Sequence, residues 1–273
     1  MFGVGGAAQA WHNEAVNGVG VIRLAGFASE NRGAAHFFGT RQAGHLLPGE
    51  HGNRDVSATE RRLRADDSPL RHLLTGCRVA AVKQVHGIDA LVVGTDLPPQ
   101  SVLEQGWDAL VTDQPYVCLT IKTADCVPIL VHDARRRVVA AIHAGWRGAV
   151  AGILPKTLSL MAERFDSRAV DVEIGIGPAA GVCCYEVDAP VIARLRDGFS
   201  DWEAVLRDRQ DDRAKLHLHD LIQRQAVAAG VEPARIHAAS QCTICQPERF
   251  YSYRREGAVR GTMVSGIVLT AQG

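Results

Sequence analysis

From residue 79 onward, short runs of branched apolar residues alternate with polar or turn-forming stretches. The runs Val79 to Val85, Trp107 to Val111, Val117 to Ile121, Val127 to Val131, Val138 to Ile142 and Val170 to Ile176 read as strands, and Thr262 to Leu269 as a closing strand. Between them, Arg147 to Phe165 has an amphipathic helical pattern in which Pro155 should start a new turn or introduce a kink. Leu218 to Ala229 reads as a helix stopped by Gly230, with Pro233 shortly after. Strands and helices alternate without strict βαβ spacing, so the expected sheets are mixed rather than doubly wound and parallel. Residues 1–35 are rich in Gly and Ala and predict no placed element. With no repeat and no low-complexity linker, the whole chain, 1–273, reads as one domain.

Composition narrows the function classes. The chain has 273 residues, 47% of them hydrophobic, with thirty Lys plus Arg against thirty Asp plus Glu. A balanced charge without a basic stripe argues against nucleic-acid binding. The runs Arg61-Arg62-Leu63-Arg64 and Arg135-Arg136-Arg137 are short and read as solvated faces or turns. No signal-peptide pattern and no long apolar stretch occur, so a cytoplasmic protein with no membrane partner is expected. Nothing in the sequence points to an oligomeric state. Seven scattered cysteines do not form a disulfide framework and are expected to be reduced.

Candidate chemistry lies at strand ends. His86, Cys126 and His143 each sit at the edge of a predicted apolar strand, beside small or turn-forming residues. Two imidazoles and a thiolate suit zinc and leave a fourth position open, as a catalytic site requires. Copper accepts the same soft set. Gly145 and Gly148 permit close backbone approach, and Arg147 opens a predicted helix whose free N–H groups could receive an anion. The same residues allow a competing reading, a Cys126–His143 nucleophile pair, which leaves His86 without a role. Cys242-Thr243-Ile244-Cys245 is a Cys-x-x-Cys motif, which suggests a redox or structural zinc site, but with no second such pair nearby it reads first as substrate loop or packing. Cys183-Cys184 reads as lining the core or the pocket floor. Pieces of the zinc-deaminase signature are echoed by His12-Asn13-Glu14 and by Cys242 to Cys245, but Gln241 stands where that signature has Pro.

Six segments, KQVHG at 83–87, DALVTD at 108–113, TADCVPIL at 123–130, HAGWRG at 143–148, GIGPAAGVCCYEV at 175–187 and CTICQPERFYSYRR at 242–255, resemble in this order the laccase-domain family of purine nucleoside phosphorylases. Bacterial members of that family carried the earlier label of polyphenol oxidases. Phe38-Gly39-Thr40-Arg41-Gln42-Ala43-Gly44 resembles its opening segment. The resemblance implies an α/β fold in which helices flank two packed mixed sheets, as α-β-β-α layers. It also implies zinc on His86, Cys126 and His143. The activities it implies are phosphorolysis of adenosine, guanosine, inosine and S-methyl-5′-thioadenosine, and deamination of adenosine. A multicopper relay would need many His-x-His pairs, whereas the chain has one, His217-Leu218-His219, at a helix entry.

Phosphorolysis needs an anion site and stabilisation of charge on the ribose. Arg41, Arg147 and the backbone from Gly145 to Gly148 are the candidate phosphate partners, with Ser252 and Arg254 in the pocket wall. Cys126, Asp125 and Arg147 are the candidate catalytic residues. Asp125 is either a proton carrier or a structural hydrogen-bonding group. The expected partners are a purine nucleoside and phosphate. A protein that keeps the pocket for binding or assembly without turnover is the alternative from another class.

Overall fold

The computed structural model describes residues 15–16, 19–28, 33–46, 57–65, 68, 70–239 and 241–270. His12 to Glu14 lie outside this set. Two large sheets carry the architecture. One runs in the order β15 (Ile236–Ala238), β11 (Val172–Ile176), β9 (Val127–Asp133), β10 (Val138–Ala144), β7 (Ala109–Thr112) and β6 (Ala90–Val92). The other runs β3 (Ala34–Phe38), β16 (Thr262–Leu269), β8 (Val117–Thr123) and β5 (Arg78–Ala80), with β4 (His45–Leu46) also pairing β16. Both are mixed: β15 on β11, β6 on β7 and β5 on β8 are parallel, and the other pairings are antiparallel. A small antiparallel sheet joins β12 (Glu186–Asp188), β14 (Arg213–Leu216) and β13 (Leu206–Gln210). Strands β1 (Ala15–Val16) and β2 (Val19–Gly20) form a two-stranded ladder.

Strand periodicity sorts the core into layers. Successive side chains face opposite sides of a sheet. In the six-stranded sheet, Leu110, Leu130, Val139 and Ala141 point at the other sheet and meet Leu119, Ile121, Ile267 and Leu269. Their neighbours Val111, Ile129, Val131, Ala140 and Ile142 face outward into a second cluster. There they meet helices α3 (Trp146–Val150), α4 (Ile153–Phe165), α5 (Ala189–Gly198) and α6 (Leu218–Ala228). On the far side, Val79, Cys118, Val264 and Val268 pack against Leu63 of helix α1 (Ser57–Arg64). The result is an α-β-β-α stack, as the resemblance implied. Short helices α2 (Gln100–Leu103) and α7 (Tyr253–Glu256) complete the set.

Two local departures from the sequence reading bear on the site. The expected strand from Val79 to Val85 stops at Ala80, and the chain then peels away from β8. Gln84 replaces the lost ladder with its side chain, donating Nε2–H to the Lys122 carbonyl and accepting the Lys122 N–H, both at 2.7 Å. The expected helix from Arg147 to Phe165 is two helices. They break at Gly152, whose φ of +83° is left-handed, and Pro155 sits harmlessly in the first turn of α4.

Candidate metal centre and cavity

The departure of the chain from β8 places His86 in a left-handed turn, with φ of +62°. That turn is held by a single buried carboxylate. Asp108, just before β7, accepts the backbone N–H of Val85 at 3.3 Å, of His86 at 2.9 Å and of Gly87 at 2.6 Å. It also accepts Nδ1–H of His143 at 2.7 Å. Its own backbone carbonyl receives the His143 N–H at 2.7 Å. Asp108 therefore orients two histidines from two different elements. Burial alone would raise its pKa, but the hydrogen bond and charge of His143 and the N–H groups of Gly87 and His86 outweigh that and lower it. The sequence of the segment at 108–113 assigns Asp108 no role of its own. An acid opening an otherwise apolar strand was the signal available.

Cys126 lies in the tight connection between β8 and β9, and His143 near the end of β10. The ligand atoms of His86, Cys126 and His143 fall within 4.8 Å of one another. Cys126 Sγ is 3.7 Å from His86 Nε2, and the two imidazole rings meet edge to face at 4.7 Å. Zinc bonds of typical length and tetrahedral angle would separate a sulfur and a nitrogen ligand by about 3.5 Å. With Nδ1 of His143 committed to Asp108, its other nitrogen faces Cys126. A carboxylate behind a histidine in this way is the usual outer-shell support of a metal ligand. The backbone is shaped to the same end. A Cβ on Gly145 would lie 2.6 Å from His86 Cδ2 and 3.2 Å from Cys126 Sγ, and one on Gly148 would strike the Gly87 carbonyl at 2.6 Å. These residues fit a metal ion.

The electrostatics of the group without a cation are polarised. Burial pushes the Cys126 thiol up, but the charge and hydrogen bonds of His143 and His86 bring it down to about 6. Burial would lower His143, yet Cys126 and Asp108 raise it to about 9.

A cavity of about 480 Å³ opens over this group. Its lining includes His86, Asp125, Cys126, His143, Arg147 and Arg254, with aromatic walls from Trp146, Tyr185 and Tyr253. Arg147 is exposed and stacks on the Trp146 ring at 4.4 Å. Arg254 lies over the Tyr185 ring at 4.8 Å and donates Nη1–H to the Glu186 carbonyl. Asp125 sits at φ of +88°, a strained position for a non-glycine residue. Its carboxylate accepts Thr243 Oγ1–H at 2.6 Å, Ser252 Oγ–H at 2.9 Å and the Arg254 N–H at 2.7 Å. Both oxygens are thus engaged.

Other expected residues stand elsewhere. Gly145, Gly148 and Ser252 support the lining from behind without facing the cavity. Arg41 is not in the lining; it donates Nη1–H to the Pro247 carbonyl, lies 3.7 Å from Glu256 and covers the Tyr251 ring. The helix opened at Trp146 has five residues, so its N-terminus offers an anion only a single short turn. Cys183 is exposed and Cys184 half-buried, and neither lines the cavity or the core, contrary to the sequence reading. His217 caps α6 by accepting the Asp220 N–H at 3.1 Å, and His219 donates to the Gly177 carbonyl at 3.0 Å. Among the described residues, no helix is long and apolar enough to cross a membrane.

Known proteins are similar to this chain in sequence and fold. A purine nucleoside phosphorylase of Bacteroides thetaiotaomicron is 37% identical over 182 residues, which is 66% of this chain and 67% of that one. The adenosine deaminase RL5, from an unknown prokaryotic organism, is 32% identical over 204 residues, 74% of this chain and 75% of that one. The crystal structure of YlmD from Geobacillus stearothermophilus superposes with a TM-score of 0.76 at 28% identity, covering 96% of this chain and 99% of that one. The family described as multi-copper polyphenol oxidoreductase laccase matches residues 36–270. With that match covering nearly all of both large sheets, the His86, Cys126 and His143 group and the cavity above it, the chain belongs to this laccase-domain family, whose relatives include YlmD-type purine nucleoside phosphorylases.

Proposed function

We propose that the chain is a zinc-dependent purine nucleoside phosphorylase that also deaminates adenosine. The observation that carries the reading is the convergence of Cys126 with His86 and His143, the two histidines held by Asp108, at a nucleoside-sized cavity. Relatives named for both activities support it. The family's oxidase name fits less well: among the described residues two side-chain groups could each hold one ion, and His217 and His219 are bonded elsewhere.

Phosphorolysis forms a bond from a phosphate oxygen to C1′ of ribose and breaks the bond from C1′ to the purine. Arg147 and Arg254, both in the cavity lining, supply positive charge for phosphate. Trp146, Tyr185 and Tyr253 offer apolar faces to the base and sugar. Asp125, with both oxygens bonded, acts as a positioning residue that ties Thr243, Ser252 and Arg254 beside Cys126. A bound zinc ion supplies Lewis acidity for polarising an oxygen of phosphate or water.

Metal-replete protein incubated with adenosine and phosphate should yield adenine and ribose-1-phosphate, and inosine without phosphate. Zinc-containing protein that forms none of these products overturns the reading. The polarised Cys126–His143 pair supports a second reading, a thiolate nucleophile assisted by imidazolium. His86→Ala separates them: the zinc reading expects loss of metal and both activities, and the nucleophile reading expects both to persist.

A further inference from the structure

Cys183, Cys184, Cys242 and Cys245 stand outside the cavity, and nothing in the proposed reaction uses them. They come from two loops far apart in sequence. The first pair ends the turn that leads from β11 to β12, and the second forms a Cys-x-x-Cys turn after β15. The fold brings the loops together through the bridge pairing Ala179 with Cys242. Thr243 donates its N–H to the Ala179 carbonyl at 3.0 Å. All four sulfurs then lie within 4.8 Å of one another, with Cys245 Sγ 3.2 Å from Cys183 Sγ and 3.0 Å from Cys184 Sγ. None is joined in a disulfide.

Hydrophobic packing does not account for this group, because Cys183 and Cys245 are exposed. Four sulfurs converging on one point also exceed what a single disulfide would need. Tetrahedral zinc thiolates stand about 3.8 Å apart, within the spread seen here. The backbone is built around the group. The N–H of Gly181 points at Cys242 Sγ at 3.2 Å, and the Cys245 N–H bonds the same sulfur, so donors already face the most buried thiol. A side chain at 181 would collide with Cys242 Cβ at 2.8 Å and crowd Cys183 Sγ at 3.3 Å. The loops can approach this closely only because residue 181 is glycine.

We infer that Cys183, Cys184, Cys242 and Cys245 bind a second zinc ion in a closed four-thiolate site that clamps the two loops together. The site leaves no open position for substrate and is therefore structural. Its reach into the cavity runs through Thr243, which lies between two of the ligands and holds Asp125, the neighbour of Cys126. Arg255 braces the same turn by donating Nη1–H to the carbonyls of Thr243 and Ile244. The inference stands independently of the reaction proposed above.

The experiment is zinc stoichiometry on the full chain, loaded with zinc under reducing conditions and freed of loose metal, for the parent, Cys245→Ser and His143→Ala. The expected result is two zinc ions per chain in the parent and one in each variant. Cobalt replacement in His143→Ala gives a second measurement that does not depend on the cysteine variant folding. A tetrahedral cobalt spectrum with strong thiolate-to-cobalt absorption is expected there, and its absence overturns the inference. So does a parent that holds one zinc per chain and keeps it in Cys245→Ser. A mass deficit showing a disulfide among these four cysteines in the zinc-loaded parent would likewise overturn it.

Discussion

Asp108 controls the candidate centre without touching substrate space. Its carboxylate accepts donors from the His86 turn and from the His143 ring, so one side chain sets the relative position of two ligands. Asp108→Asn keeps the shape but turns an NH₂ group toward N–H donors and removes the charge facing His143. Metal affinity should fall by about 10- to 100-fold, the usual cost of losing outer-shell support, and competition with a chromophoric chelator measures it. Unchanged affinity would remove Asp108 from the argument. Gly145 makes a separate test, because its backbone, at φ of −66°, is open to alanine and only space forbids the substitution. The added methyl would stand 2.6 Å from His86 Cδ2. Gly145→Ala should therefore fold, lose metal affinity by about an order of magnitude, and keep its thermal transition when metal-free. A variant that binds metal like the parent would show that His86 is not held as described.

Elements were legible in proportion to how independently they form. β16 appears with the bounds expected from its apolar run, and β8, β9 and β10 within two residues of theirs. Buried on both faces, these strands read as continuous apolar runs, yet that same burial hides which face meets helices and which meets the second sheet. β3 escaped notice although all five of its residues are buried, because it is stabilised by pairing with β16 far along the chain. The hairpin of β13 and β14 was missed because β13 is polar after Leu206 and the alternation of β14 extends over a short strand only. The positions of Cys126 and His143 at strand ends were visible, whereas His86 lies in a turn beyond its strand; Asp108 as the common support of the two histidines was not visible, since it depends on a turn 22 residues upstream in the chain. The helix break was misplaced for a definable reason: proline is tolerated in a first turn, whereas only the left-handed φ of Gly152 ends α3 and restarts the chain as α4. Gly152→Ala should then destabilise the protein by about 1 kcal/mol, and Pro155→Ala by much less. Denaturant unfolding of the two variants checks this. The reverse order would return the break to Pro155.

At the scale of the whole molecule, two buried histidines make stability depend on pH below their ordinary value of 6.5. His36 in β3 accepts the Leu24 N–H at Nε2, 2.9 Å away, and donates Nδ1–H to the Ala28 carbonyl at 3.2 Å, so the neutral ring is fixed in one tautomer. Burial lowers its pKa from 6.5 to about 4, against a smaller raising effect of the Ala28 carbonyl. His219, between α6 and the Gly177 carbonyl, is lowered by burial to about 4 as well. In both cases the unfolded chain takes up a proton near pH 6.5 that the folded protein refuses until about pH 4. Stability is therefore fully present above pH 6.5 and falls as pH drops toward 4, by about 2–3 kcal/mol for each ring at most. His217, also lowered from 6.5 by burial, adds a loss of the same sign in this interval, whereas the remaining shifted groups act outside most of it. Asp108, lowered from 3.8, loses its contribution only at more acid pH. In metal-free protein the opposed shifts of Cys126, to about 6, and His143, to about 9, act above about pH 6. Urea unfolding of chelator-treated protein between pH 6.5 and 4 should thus show a steady loss. In His36→Gln, whose amide offers a donor and an acceptor but does not titrate, the slope should become clearly shallower. A slope that the substitution leaves unchanged would mean that His36 is not held neutral by its place between the sheets, and the pH dependence would have to come from elsewhere.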